Sequence, residues 1–240
     1  MRILALDTAT SATTVALAEL RAAGSALDES AVELRDDPTP GSRPNHTRRL
    51  LELIEAVMAQ TGVDWSDIDR LAVGVGPGTF TGLRIGIATA QALAYSRGLP
   101  LTPVSTLEAL ALPAVDATPE QAVIAVLDAR RGEAFAAAWR AGDRPGPKPP
   151  VLPPAVLDPP SLQMAAAELG PGSLAVGDGA IKFAADLRHS GLIVAPEDSE
   201  LHRVSALAHC RLAVDLEPGR PGDVQPEYLR EPDAEIARQP

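Results

Sequence analysis

Leu71-Ala72-Val73-Gly74-Val75 followed by Gly76-Pro77-Gly78-Thr79-Phe80-Thr81-Gly82-Leu83-Arg84 reads as a buried strand, a glycine-rich loop over 76–82 and the start of a helix over 84–96. Glycines let the chain turn tightly and let other backbone, or a ligand, approach the amides. Free N–H groups at the helix start favour an anion. Thr79 and Thr81 can cap the helix or donate to a ligand oxygen. The loop fits none of the common nucleotide motifs. A phosphate-binding P-loop needs Lys after its last glycine, where Leu83 stands, and a dinucleotide fingerprint needs glycine at Thr81. A nucleophile elbow needs serine at Thr79. On chemistry alone, a ligand loop and a turn that packs helix on sheet remain open.

Working outward, Ile3 to Leu6 and the β-branched run Thr13 to Leu17 flank the small polar stretch Asp7-Thr8-Ala9-Thr10-Ser11-Ala12. This is strand, tight turn, strand. A proline-rich loop over 36–45 precedes a helix over 47–61, closed by Gly62. A further strand over 101–104 leads into Ser105-Thr106-Leu107-Glu108, a capping-box sequence opening a third helix. The order then restarts. Val123 to Leu127, Asp128-Ala129-Arg130-Arg131-Gly132 and Glu133 to Trp139 repeat the hairpin, which reads as a faint internal duplication. The proline-dense stretch 145–160 reads as a stiff extended connector or, the preferred expectation, as an ordinary surface loop. A helix over 161–169, a strand over 174–176, a helix from Ile181 and an amphipathic helix over 204–216 complete the pattern. Strands alternating with helices, with a hairpin opening each half, predict two α/β lobes with mixed sheets, over 1–113 and 114–240. The helix over 203–217 is a candidate to pack back on the first lobe.

The 240 residues carry a net charge of −11. Such a chain repels a phosphate backbone, so any RNA role needs a basic partner. Cys210 is the only cysteine and no export signal is read at the N-terminus, so a reducing cytoplasm is the expected compartment. No stretch approaches the roughly 20 apolar residues of a membrane span.

Catalytic candidates are sparse. Asp7, ending the first strand, is placed to position a metal-bound water beside a phosphate, or simply to form the turn. Asp128 carries the same ambiguity. The residues two places on, Ala9 and Arg130, suit a phosphate clamp poorly. A two-histidine metal site at His46 would need its second histidine at Leu50. His202, His209 and Cys210 do not close a site by spacing. No metal site and no catalytic residue are expected.

Taken together and in order, Asp7-Thr8-Ala9-Thr10, Gly76 to Gly86, Pro103-Val104-Ser105-Thr106-Leu107-Glu108-Ala109-Leu110, Asp128-Ala129-Arg130-Arg131-Gly132-Glu133, Gly177-Asp178-Gly179-Ala180 and Pro226-Glu227-Tyr228-Leu229-Arg230 resemble the TsaB (YeaZ) family. Thr79 stands where many members have serine. The resemblance implies the actin-like ATPase (ASKHA) fold. It implies a non-catalytic role in making threonylcarbamoyladenosine beside the anticodon of tRNA, with a TsaD-like catalytic subunit and a TsaE-like ATPase as partners. TsaD-like proteins hold metal with a His-x-x-x-His pair, which Leu50 breaks here. Asp7, Thr8, Gly76, Gly78, Thr79, Thr81, Gly82 and Arg84 are then the nucleotide or partner loop. No cofactor is expected to bind tightly, with an adenine nucleotide considered only at the partner interface.

The alternatives are an active enzyme of the same fold, either a small-molecule kinase or a metal-dependent glycopeptidase, and an α/β binding protein of unknown ligand. A partner surface is also expected. Leu50, Leu51, Leu53, Ile54, Val57 and Met58 cover an arc of about 160°, wider than the roughly 100° one core requires. The next helix, with Ile87 and Tyr95, leaves almost no polar side. These residues are assigned to a homodimer or to a TsaD-like partner, with tRNA met only through the complex. The other reading is that the first helix simply covers the second.

Overall fold

The structure is a computed structural model and describes residues 1–20, 31–39, 42, 44–146 and 148–230. It divides into two units, residues 1–109 with 204–226, and residues 110–203 with 227–240. The division falls before the expected 113/114 boundary, and all of 204–226, not only the helix over 203–217, belongs to the first unit.

In the first unit, β1 (Arg2–Asp7) pairs antiparallel with β2 (Thr13–Glu19), and β2 with β3 (Val32–Asp36). On its other side β1 runs parallel to β4 (Arg70–Gly76), and β4 to β5 (Leu101–Ser105). The order is β3-β2-β1-β4-β5. The two faces differ in residue size because side chains alternate along a strand. Leu4, Leu6, Val15, Leu17, Leu71, Val73 and Val75 join Leu50, Leu53, Ile54 and Val57 of α1 (His46–Thr61) and Ile87, Ala90 and Ala94 of α2 (Phe80–Arg97) in one core. The intervening positions are mostly small: Ala5, Ala16, Ala18, Ala72 and Gly74. Against that face lies α7 (Ala206–Ala213), close enough for the Cys210 thiol to donate to the Ile3 carbonyl at 3.4 Å.

The helix ends follow local rules. Gly62 and Gly98 close α1 and α2 in the left-handed conformation, at φ 66° and 67°. Two expectations are corrected. The loop is shorter than 76–82, because α2 begins at Phe80 and takes Gly82 into its first turn. The capping box at Ser105 does not form, since Ser105 ends β5 with its hydroxyl buried and unpartnered, and α3 (Thr106–Ala117) starts directly after it.

In the second unit the order is β10-β9-β6-β7-β8, from β6 (Val123–Arg130), β7 (Glu133–Trp139), β8 (Leu152–Leu157), β9 (Leu174–Val176) and β10 (Ile193–Val194). A hairpin, an added antiparallel strand and two parallel strands reproduce the first unit, so the repeat read from the two hairpins extends to the whole sheet. Helices α4 (Pro159–Leu169), α5 (Asp178–Lys182) and α6 (Ala184–His189) belong to this unit, with Leu162, Ala180, Phe183 and Leu187 in its core. The stretch 145–160 is not only loop. It contains β8, an edge strand whose Pro153 and Pro154 are tolerated because one side of the strand joins no ladder among the described residues. Both units are α/β with mixed sheets, the class expected from the sequence.

Candidate functional site

Asp7 ends β1 with 1% exposure. Its carboxylate is surrounded by donors of the same unit. Oδ1 accepts from the Ala9 N–H at 2.7 Å, and Oδ2 accepts from the Thr106 hydroxyl at 3.1 Å. The His209 imidazole of α7, with 0% exposure, places Nε2 3.1 Å from Oδ2, an ion-pair distance with the N–H poorly aligned for a hydrogen bond. Gly74 makes room for this pair. A Cβ there would overlap the Asp7 carboxylate and come within 3.0 Å of His209 Nε2. Burial alone would lower the His209 pKa. The contact and charge of Asp7, the Ser205 carbonyl and the charge of Glu33 outweigh it and hold the imidazole above its usual range.

Glu33 of β3 was not singled out in the sequence. It accepts from the hydroxyls of Thr14 at 2.7 Å and Ser205 at 2.9 Å and from the Ala206 N–H at 2.6 Å. It therefore anchors the start of α7, where a carboxylate also complements the helix dipole.

The glycine loop lies against the β1–β2 turn. Thr79 N–H donates to the Ala9 carbonyl at 2.7 Å, and the Thr8 hydroxyl donates to the Gly82 carbonyl at 2.7 Å. A side chain at Gly78 would overlap the Ala9 carbonyl, and one at Gly82 the Thr8 carbonyl. These glycines serve close packing of turn on helix. Thr79 does not cap α2 with its side chain. Thr79, Thr81 and Arg84 are exposed, with the Arg84 guanidinium 3.8 Å from the centre of the Phe80 ring. Asp7, Thr8, Gly78, Thr79 and Gly82 thus come together, Gly76 ends β4 opposite Ser105, and Thr81 and Arg84 face outward on α2.

The equivalent position in the second unit is Asp128. Its Oδ1 accepts from Lys182 Nζ at 2.6 Å and from the Arg130 N–H at 2.9 Å. Asp178 Oδ1 accepts from the Asp128 N–H at 3.0 Å, and burial raises the Asp178 pKa.

His46 is the first residue of α1 and is buried, with Nδ1 2.9 Å from the Thr13 hydroxyl. Burial lowers its pKa against the opposing charges of Asp7 and Asp36. In the second unit His202 Nε2 lies 3.1 Å from the Ala195 carbonyl. Among the described residues, no group of three or more His, Cys, Asp or Glu is arranged to hold a metal ion, and no helix is long and apolar enough to cross a membrane.

The surface expected on α1 and α2 needs correction. Leu50, Leu53, Ile54 and Val57 are buried in the first unit's own core, and so is Ile87. The wide apolar arc is used because α1 packs on β2 and β3 as well as on α2. Met58 is half-buried. What these helices leave open is Leu51 at 50% and Tyr95 at 65% exposure, with Ala88 and Ala92 also exposed.

A family model described as "TsaD: tRNA N6-adenosine threonylcarbamoyltransferase" matches residues 39–144. The chain is 37% identical to the tRNA threonylcarbamoyladenosine biosynthesis protein TsaB of Haemophilus influenzae over 135 residues, 56% of this chain and 52% of that protein. It therefore spans about half the length of that relative. It is 32% identical to an uncharacterized protein of Mycobacterium tuberculosis over 234 residues, 97% of this chain and 93% of that protein. A crystal structure of a Pseudomonas aeruginosa protein described as similar to peptidase YeaZ superposes with a TM-score of 0.74 at 28% identity, covering 95% of this chain and 99% of that one.

Proposed function

The chain belongs to the TsaB (YeaZ) family, and from that premise we propose that it is a non-catalytic subunit required for threonylcarbamoyl transfer to the adenosine beside the anticodon of tRNA. Its partner in this reading is a TsaD-like catalytic subunit, assisted by a TsaE-like ATPase. The observation that carries the non-catalytic part is the enclosure of Asp7. A carboxylate with almost no exposure, already served by a backbone amide, a hydroxyl and an imidazole of its own unit, has little left to offer a metal or a phosphate.

Two features support the same reading. The matched family model is that of the catalytic protein, yet the histidine pair of TsaD-like chains is broken at Leu50, whose side chain is in the core. His46, the remaining member, is buried against Thr13. The partner-facing candidates are the exposed residues of α1 and α2, together with Thr79, Thr81 and Arg84. An adenine nucleotide belongs, in this reading, to the interface with the partner. A homodimer through the same surface is the resting form. The net charge of −11 makes tRNA a ligand of the complex and not of this chain alone.

Reconstitution tests the proposal. A TsaD-like protein, a TsaE-like protein, ATP, threonylcarbamoyl-adenylate and unmodified tRNA are incubated with and without this chain. Modified tRNA is expected only with it, and the chain alone is expected to turn over no ATP. Modification at an equal rate without the chain, or steady ATP turnover by the chain alone, would overturn the reading.

A further inference from the structure

The polar contacts around Asp7 form a continuous path from α7 to the first turn of α2. Glu33 and the Ser205 side chain fix the start of α7, the latter accepting from the Ala208 N–H at 3.2 Å. One turn on, His209 Nδ1 is 2.8 Å from the Ser205 carbonyl. A carbonyl only accepts, so Nδ1 carries a proton. Nε2 lies 3.1 Å from a carboxylate oxygen, and the charge of Asp7 favours the protonated ring over the neutral one. Asp7 in turn holds the Ala9 N–H, and the Ala9 carbonyl holds the Thr79 N–H. Thr8, between them, holds Gly82. The Thr79 carbonyl then accepts from the Leu83 N–H at 3.0 Å, inside the first turn of α2.

We propose that His209 is a positioning residue, which through the Asp7 carboxylate and the β1–β2 turn sets the shape of the Pro77–Thr79 loop and the start of α2. Glycine at 74 belongs to the same device. A glycine inside a strand weakens it and is retained where another group must come close. Here that group is the ion pair. The loop that the proposed partner meets is shaped by a side chain more than 120 residues away in sequence, as the 130 and 202 residue separations of Thr79 and Asp7 from His209 require. The inference rests on the proposed function only in that last step, the loop's use by a partner.

The test uses the chain alone. Hydrogen exchange is measured at the Thr79 and Leu83 amides in the wild type, His209→Leu and His209→Gln, with the Gln side-chain amide able to reach Asp7 from the Nε2 position. At least a tenfold loss of protection is expected in His209→Leu, with recovery of most of it in His209→Gln. Because His209→Leu can fail to fold, the wild type is also titrated. The Ala9 and Thr79 methyl signals in carbon–proton spectra, which stay visible at alkaline pH, are expected to move along the titration of the His209 ring. A folded His209→Leu with wild-type protection at Thr79, a Gln variant no better than Leu, or methyl signals that ignore the His209 titration would each overturn the proposal. A TsaD-like partner that does not bind the wild type would sink the functional reading and leave this one standing.

Discussion

His209 Nε2 sits 3.1 Å from Asp7 Oδ2, with neither side chain exposed by more than 1%. A buried ion pair is weak evidence for net stability, but removing one partner leaves an uncompensated charge and is strongly destabilising. Asp7→Ala is therefore expected to lower the unfolding free energy by about 3–5 kcal/mol, read by urea denaturation. Asp7→Asn should cost less, because the amide oxygen can still accept from Ala9. If Asp7→Ala kept the wild-type midpoint, the pair would contribute nothing. Loss of any activity in Asp7→Ala is uninformative without this control.

Stability should pass through a maximum with pH, because two buried histidines pull in opposite directions. The His209 pKa is raised in the fold, so its contribution is complete below the unfolded histidine pKa and is lost as pH rises through the folded value. The His46 pKa is lowered, so its contribution is present above the unfolded value and is lost as pH falls through the folded one. Melting temperatures across pH are the measurement. In His46→Gln the acid-side loss should shrink while the alkaline-side loss persists. An unchanged acid limb would remove His46 from the account.

The β6–β7 turn carries an opposite kind of local tension. Arg130 at φ 66° and Arg131 at φ 53° are left-handed without being glycine, and Gly132 follows at φ 82°. Left-handed φ at both Arg131 and Gly132 is the pattern of a two-residue hairpin turn that favours Asn-Gly. Arg131→Asn should thus stabilise the protein by up to about 1 kcal/mol, seen as a higher denaturation midpoint. A lower midpoint would mean that contacts of the Arg131 side chain outweigh its backbone conformation.

Strands and helices with strong patterning are legible in the sequence. The alternation of Leu4, Leu6, Leu71, Val73 and Val75 with Ala and Gly, and Gly62 at the end of α1, each state their role locally. β8 was not legible, because Pro153 and Pro154 argue against a strand unless it is known to be an edge. The candidate loop was found, but its meaning was not. Glycines that admit a ligand and glycines that admit a neighbouring backbone look the same in one dimension. The Asp7–His209 pair joins residues 202 positions apart, as their numbers show, and its only local trace is Gly74, one of several small residues alternating with Leu71, Val73 and Val75. The partner arc on α1 was misjudged because helix periodicity counts apolar positions without saying how many sheet strands the helix covers.

Burial of the apolar arc of α1 decides which variants test the partner surface. Leu53 lies in the core of the first unit, so Leu53→Glu buries a charge and is expected to unfold the protein instead of releasing a partner. The informative positions are those the fold leaves in solvent. On α1 this is Leu51, half exposed, and on α2 these are Ala88 and Ala92, whose small side chains let another helix approach closely. Leu51→Glu and Ala88→Glu should leave the melting temperature within a few degrees of wild type, since charges at exposed helix positions change stability by about 0.5 kcal/mol or less. If this face meets the partner, both variants should weaken binding to a TsaD-like protein at least tenfold, because a desolvated unpaired charge at an interface is costly. Calorimetry of binding, beside light scattering of the chain alone, separates the heterodimer from the homodimer. Wild-type affinity in both folded variants would place the partner on another face of the first unit or on the second.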